Sequence, residues 1–288
     1  MAVVPGLRVF ALIAALLLMA GCQPTVNFTG ARVSADQPLP LAKPEPPLVP
    51  AKPSAVRGAK VFEAQCAICH GPQGKGDGPA GSGLTTPGRD VIVDFLAIFG
   101  IKHEIEKLPS RPANFHVVEQ QRLNHPYMNW ETVSQGRPYT AMPAFGPKVG
   151  YGANKAQTLS DQERWDLVFH EWQWATTPER LARAKEIYET RGIDGQTCAA
   201  CHGTAGDGKG PKGAEMAGRL WMWKAGRGPG VFTDFNYLVQ RKPSQIFQVI
   251  KEGSLNRLMP AYGKKLTEDE MWMLVEYAYT FIYEPRPK

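Results

Sequence analysis

Apolar residues fall at helical spacing in blocks that recur along the chain. Trp165, Val168, Phe169 and Trp172 lie at i, i+3, i+4 and i+7, which makes one face of a helix. Trp272, Val275 and Tyr279 nearly repeat that face. Each block follows a Ser/Thr-x-x-Glu capping box, Ser160 with Glu163 and Thr267 with Glu270, so a helix is expected to start at each. Ala59, Val61 and Phe62 predict a helix running into Cys66. Leu181, Ala184, Ile187 and Tyr188 predict its counterpart ahead of Cys198. The aromatic faces are expected to be core, packed on the first helix of their own block.

The N-terminus has a different pattern. Arg8 precedes an apolar run over 9–20, too short for a comfortable membrane span and suited to a signal peptide. The run ends Met19-Ala20-Gly21-Cys22, which resembles the lipobox of bacterial lipoproteins. That resemblance implies cleavage before Cys22 and lipid on Cys22. Gln23, where an Asp would favour inner-membrane retention, leans towards the outer membrane. Pro24, Pro38, Pro40, Pro44, Pro46, Pro47, Pro50 and Pro53 then exclude helix and central strand. Residues 22–54 are expected to be a semi-rigid tether after a signal peptide over 1–21.

The rest is an internal repeat. His70, Gly71, Gly74, Gly76, Gly78 and Pro79 return without a gap as His202, Gly203, Gly206, Gly208, Gly210 and Pro211. Phe115 is matched to Phe235, Gly136 to Gly253, and Met142-Pro143-Ala144-Phe145-Gly146 to Met259-Pro260-Ala261-Tyr262-Gly263. The expectation is an all-α chain of two tandem domains, 55–176 and 177–288. The first copy has an insertion over 90–108, expected to be a helix broken at Gly100. The second has extra residues between Tyr188 and Cys198, expected to be a loop.

Composition narrows the function classes. A net charge of +6 over 288 residues, without a long Lys/Arg run, gives nucleic-acid binding little support. Four of the five cysteines form Cys66-x-x-Cys69-His70 and Cys198-x-x-Cys201-His202, leaving Cys22 for the lipid. C-x-x-C-H is the pattern of covalent haem attachment: two thiols add to the porphyrin vinyl groups and the adjacent His reaches the iron. A thioredoxin-like dithiol would need a βαβ setting, and a zinc site would use similar short spacings. The glycines after each His suit tight turns; Lys75 and Lys209 do not stand in a phosphate-loop frame.

A sixth iron ligand must come from elsewhere in each copy. No His follows His202, and Met271 and Met273 fall on the final helix, which leaves Met259 in its loop ahead of Met216 and Met222. Met142 is the matching residue in the first copy, with His103, His116, His125, His170 and Met128 as rivals. His/Met ligation fills both axial positions and suits electron transfer.

With these motifs, both halves over roughly 55–285 resemble class I c-type cytochromes, small helical domains with an N-terminal C-x-x-C-H and a later Met ligand. The tandem layout is similar to di-haem electron-transfer cytochromes and to di-haem subunits of respiratory oxidases. The resemblance implies two covalently bound haems, attached after export, and an electron carrier on the periplasmic side of a bacterial membrane, held there by lipid on Cys22. Its partners would be a redox donor and acceptor. The alternatives are a fixed subunit of a larger membrane complex and a di-haem enzyme, such as a peroxidase or a thiosulfate dehydrogenase. The first copy, with its insertion and a longer stretch from Met142 to Leu159, is where an unusual iron site would lie.

Overall fold

A computed structural model describes residues 51–81, 111–137, 140–147, 158–220 and 228–287. The signal peptide, Cys22, most of the tether, the 90–108 insertion, His103 and Met222 lie outside the described residues. The described elements are helices joined by turns. The first half contributes α1 (Ala55–Gln65), α2 (Ala67–His70), α3 (Val118–Leu123), α4 (Pro126–Gln135) and α5 (Asp161–Trp172). The second contributes α6 (Pro178–Thr190), α7 (Cys198–His202), α8 (Pro211–Leu220), α9 (Phe235–Val239), α10 (Pro243–Glu252) and α11 (Glu268–Tyr279). No described helix is long and apolar enough to cross a membrane.

Both expected capping boxes start their helices. Ser160 accepts from the Glu163 amide and Thr267 from the Glu270 amide, while each Glu side chain accepts from the cap amide. Each cap satisfies amides that the first helical turn leaves without partners. The first and last helices of each half pack together. Gly58 allows the close approach of α1 and α5, because a β-carbon there would lie 2.0 Å from the Asp166 carbonyl oxygen. Arg57 pairs with the buried Asp166 at 2.8 Å across the same crossing. In the second half Arg180 of α6 bridges Glu276 and Asp269 of α11, each at 2.9 Å.

Between Tyr188 and Cys198 the chain is not a plain loop. Residues Gly192–Ile193 (β1) and Gln196–Thr197 (β2) form a short antiparallel ladder. Asp194 and Gly195 turn it with φ of +52° and +74°, the positive pair that an Asp-Gly hairpin turn adopts.

The aromatic face of α5 has a role beyond the core of its own half. Trp165, Val168, Phe169 and Trp172 share one buried cluster with Ile187, Tyr188, Leu238, Tyr279 and Tyr283 of the second half. The contacts are reciprocal. In the register set by the two capping boxes, Trp172 and Tyr279 are equivalent positions, and they pack on each other at 5.2 Å. Phe169 stacks on Tyr283 at 4.7 Å, and their equivalents Glu276 and Thr176 are joined by a 2.5 Å hydrogen bond. Phe235 of α9 meets Trp165 edge-on at 4.9 Å, while Arg122 of α3 lies 3.9 Å over Trp272. This is the pattern of an isologous interface, here within one chain. A second clasp joins the start of α1 to the C-terminal segment: Ala55 donates to the Glu284 carbonyl and Glu284 to the Pro53 carbonyl, with Pro53 and Ser54 buried.

Candidate haem-binding site

The second half encloses a cavity of about 230 Å³. Cys198, Cys201 and His202 line one side of it, and Met259 and Pro260 come from the loop after α10. The remaining wall is largely apolar, including Leu238, Ile246, Ile250, Leu274 and Ala278. The Thr197 side chain accepts from the Ala200 amide and starts α7, which carries both thiols and the imidazole on one short turn. His202 Nδ1 donates to the Gly230 carbonyl at 3.0 Å and its ring stacks on Phe232 at 4.6 Å. That bond fixes the tautomer with the lone pair on Nε2, the form a metal ligand needs. Burial, with Arg257 as a lesser cause, holds the His202 pKa below its ordinary value, which keeps the ring neutral.

The loop carrying Met259 is held by backbone. Ser254 and Met259 exchange both amide-to-carbonyl bonds, at 2.8 and 3.0 Å, and Tyr262 donates to the Ile250 carbonyl. Gly253 makes the turn at φ +75°, where a β-carbon would lie 2.6 Å from the Met259 carbonyl oxygen. Gly136 repeats this at φ +69°, 2.7 Å from the Met142 carbonyl oxygen. Arg137 likewise donates to the Met142 carbonyl and Phe145 to the Val133 carbonyl. The two Met loops are therefore built on one plan.

The first half repeats the His anchorage too. His70 Nδ1 donates to the Ala113 carbonyl at 3.2 Å, and its ring stacks on Phe115 at 4.9 Å. Cys66 and Met142 belong to one cluster with Phe62, Val133, Phe145, Leu159 and Leu167. These contacts correct the alignment of the halves. The partner of Phe115 is Phe232: Phe115 donates to the Gly74 carbonyl and Phe232 to the Gly206 carbonyl, each stacked on its own His. Phe235 belongs to the interface between the halves instead. Two aromatics not singled out in the sequence close the glycine turns, Trp174 against Gly74 and Phe281 against Gly206.

The rival ligands in the first half are otherwise engaged where they are described. His116 Nε2 bonds to the Gln73 carbonyl at 2.7 Å. His125 caps α4, accepting from the Met128 amide. His170 is buried against the Ala55 carbonyl and Arg286. Met128 is 38% exposed.

The surroundings of Cys66 and Cys198 do not suit an activated dithiol. Burial pushes Cys198 up to about 11 and raises Cys66 further, the opposite of the depressed pKa of a reactive thiolate. None of the four motif cysteines is in a disulfide. Among the described residues no three His, Cys, Asp or Glu side chains group as a metal site of their own. Two thiols, an anchored neutral imidazole and a thioether around an apolar cavity fit a covalently held haem.

Residues 55–170 match the cytochrome c family, and residues 179–277 match the family described as cytochrome c oxidase, cbb3-type, subunit III. Together the matches support a c-type cytochrome, whose domains imply covalently bound c-type haem and electron transfer. A chain of the reducing HAO-like protein complex of Kuenenia stuttgartiensis aligns over 82% of this chain and 100% of its own, at 20% identity and a TM-score of 0.31. A likeness that shallow carries no argument about function.

Proposed function

We propose that the protein is a di-haem electron carrier. Cys66, Cys69, His70 and Met142 would hold one haem c, and Cys198, Cys201, His202 and Met259 would hold the other. The observation that carries this reading is the convergence of Cys198, Cys201, His202 and Met259 on one apolar cavity, with the imidazole anchored through Nδ1. When bound, haem supplies a one-electron Fe(III)/Fe(II) couple. The chain's residues do the rest. The thiols tether the group, and the Ala113 and Gly230 carbonyls orient the imidazoles. The Met142 and Met259 thioethers would complete the two ligand sets. The apolar wall excludes water and favours the reduced state.

We further infer that the carrier works on the periplasmic side of a bacterial membrane, with lipid on Cys22 and the proline-rich segment as its tether, and Gln23 favours the outer membrane. Its partners in this reading are a donor and an acceptor redox protein. Cys22→Ala is expected to move the protein from the membrane to the soluble fraction; retention in the membrane would contradict the anchor.

Redox titration followed by optical and electron paramagnetic resonance spectra tests the carrier reading. Two low-spin one-electron couples are expected, each with the far-red band of a thioether on iron. A high-spin centre in the resting protein would overturn it in favour of an enzyme.

A further inference from the structure

A buried carboxyl stands in the first half where the second has a methyl group. The capping boxes put α5 and α11 in register, so Leu167 corresponds to Leu274 and Glu171 to Ala278. Leu274 and Ala278 both line the second cavity. Leu167 packs in the cluster that holds Cys66 and Met142, and Glu171, four residues on, falls on the same face of α5 by helical spacing. Glu171 is 6% exposed, and its charge acts on Cys66, the first attachment position.

No described group neutralises it. Gln121 Nε2 bonds to the Glu171 backbone carbonyl, not to the carboxyl. The charged groups on the surrounding elements are committed elsewhere or face solvent. From α1, Arg57 pairs with Asp166 and Glu284, while Lys60 and Glu63 are exposed. From α3, Arg122 lies on Trp272. From α4, Tyr127 packs into the interface cluster and Glu131 acts on Tyr127. From the C-terminal segment, Arg286 contacts His170. From α11, Glu276 is held by Arg180 and Thr176.

We propose that Glu171 is the proton acceptor of the first haem site. Its carboxylate takes up one proton from solvent when that site gains one electron from a reduced partner protein, and releases it when the electron leaves. The proposal rests on the reading that residues 66–70 hold a haem. The cause is electrostatic: an electron added beside a buried carboxylate disfavours its ionised form, because little solvent screens the two. Burial has already raised the Glu171 pKa to about 8, within reach of ordinary pH. The second site, with Ala278 at the same position, has no such group.

Potentiometric titration of the intact holoprotein across a pH range bracketing 8 tests this, in the native chain and in Glu171→Gln. One couple is expected to become harder to reduce as pH rises, by up to tenfold in its equilibrium per pH unit, about 59 mV for one electron. The other couple should stay flat, and E171Q should flatten the first. Two pH-independent couples in the native protein, or a dependence that survives in E171Q, would overturn the proposal. If E171Q does not fold, infrared difference spectra of the native protein decide: reduction should produce a protonated-carboxyl band, and its absence overturns the assignment. Haem content separates the two levels. A chain with one haem sinks the underlying reading, whereas two haems with flat potentials sink only the role of Glu171.

Discussion

The two halves build their C-x-x-C-H motifs and Met loops from the same parts and differ in what stands behind them. Each anchors a motif His through Nδ1 to a carbonyl two residues before a stacked Phe. Each turns its Met loop on a glycine at positive φ. Behind the second site α11 presents Leu274 and Ala278, and behind the first α5 presents Leu167 and Glu171. In the proposed reading the ligand framework tolerates little variation, because thiols, imidazole and thioether would have to meet around one haem. The helix behind it can change a side chain without moving a ligand, so the halves can share ligation and still differ in how their potentials respond to pH.

The sharpest way to break the comparison is to remove the axial thioethers one at a time. Met259→Ala should abolish one far-red band and lower one midpoint by tenths of a volt, within the roughly 0.8 V range that axial ligands command. Met142→Ala should do the same to the other couple. If M142A changes neither band nor potential, the first site takes another sixth ligand and the halves are not equivalent.

The shared interface comes next. Trp172→Ala removes the aromatic that meets its own counterpart Tyr279, and should cost about 3–5 kcal/mol in a denaturant melt. Because the cluster spans both halves, both should lose stability together; destabilisation confined to one half would mean that they fold independently. Gly253→Ala forces a side chain onto a backbone (φ +75°, ψ -172°) that glycine alone adopts readily, at about 1–3 kcal/mol, and puts its methyl against the Met259 carbonyl. The far-red band of the second site should weaken. Gly136→Ala should weaken the other, with the same cost if the loops are equivalent.

The last effect, spread over several pH units, concerns Glu171 and stability. Its folded-state pKa is raised to about 8 from 4.5, so between those values the folded chain holds a proton that the unfolded chain has lost. The stability associated with that proton is fully present below 4.5 and is lost as pH rises through 8. Glu171→Gln removes this dependence. Relative to native, E171Q should gain up to about 1.4 kcal/mol for each pH unit between 4.5 and 8, read from paired melts. The matching Ala278→Gln should show no such pH dependence.

Much of the site was legible because covalent chemistry demands contiguous residues. Cys66-x-x-Cys69-His70 and Cys198-x-x-Cys201-His202 are local in the chain, and the capping boxes declare the start of α5 and α11. The Met loops could be read by matching the copies. What sequence matching missed depends on through-space contact. Phe115 aligned with Phe235 by similarity, but the backbone bonds to Gly74 and Gly206 pair it with Phe232. The face of Trp165, Phe169 and Trp172 read as a domain core, since periodicity reports burial and not the identity of the covering partner. The Asp194-Gly195 pair is a local turn signal, and the ladder it closes is too short to show as a run of alternating residues. Glu171 carried no signal in its own sequence; only its equivalence to a cavity-lining Ala278 exposes it.

The central claim is that both halves hold a covalent haem. Its most direct test is the mass and haem-to-protein ratio of the exported chain, native and with each cysteine pair replaced by alanine. The account predicts two haems in the native chain, one in the Cys66/Cys69 variant and one in the Cys198/Cys201 variant. A native chain with a single haem, or a variant that keeps two, would contradict it.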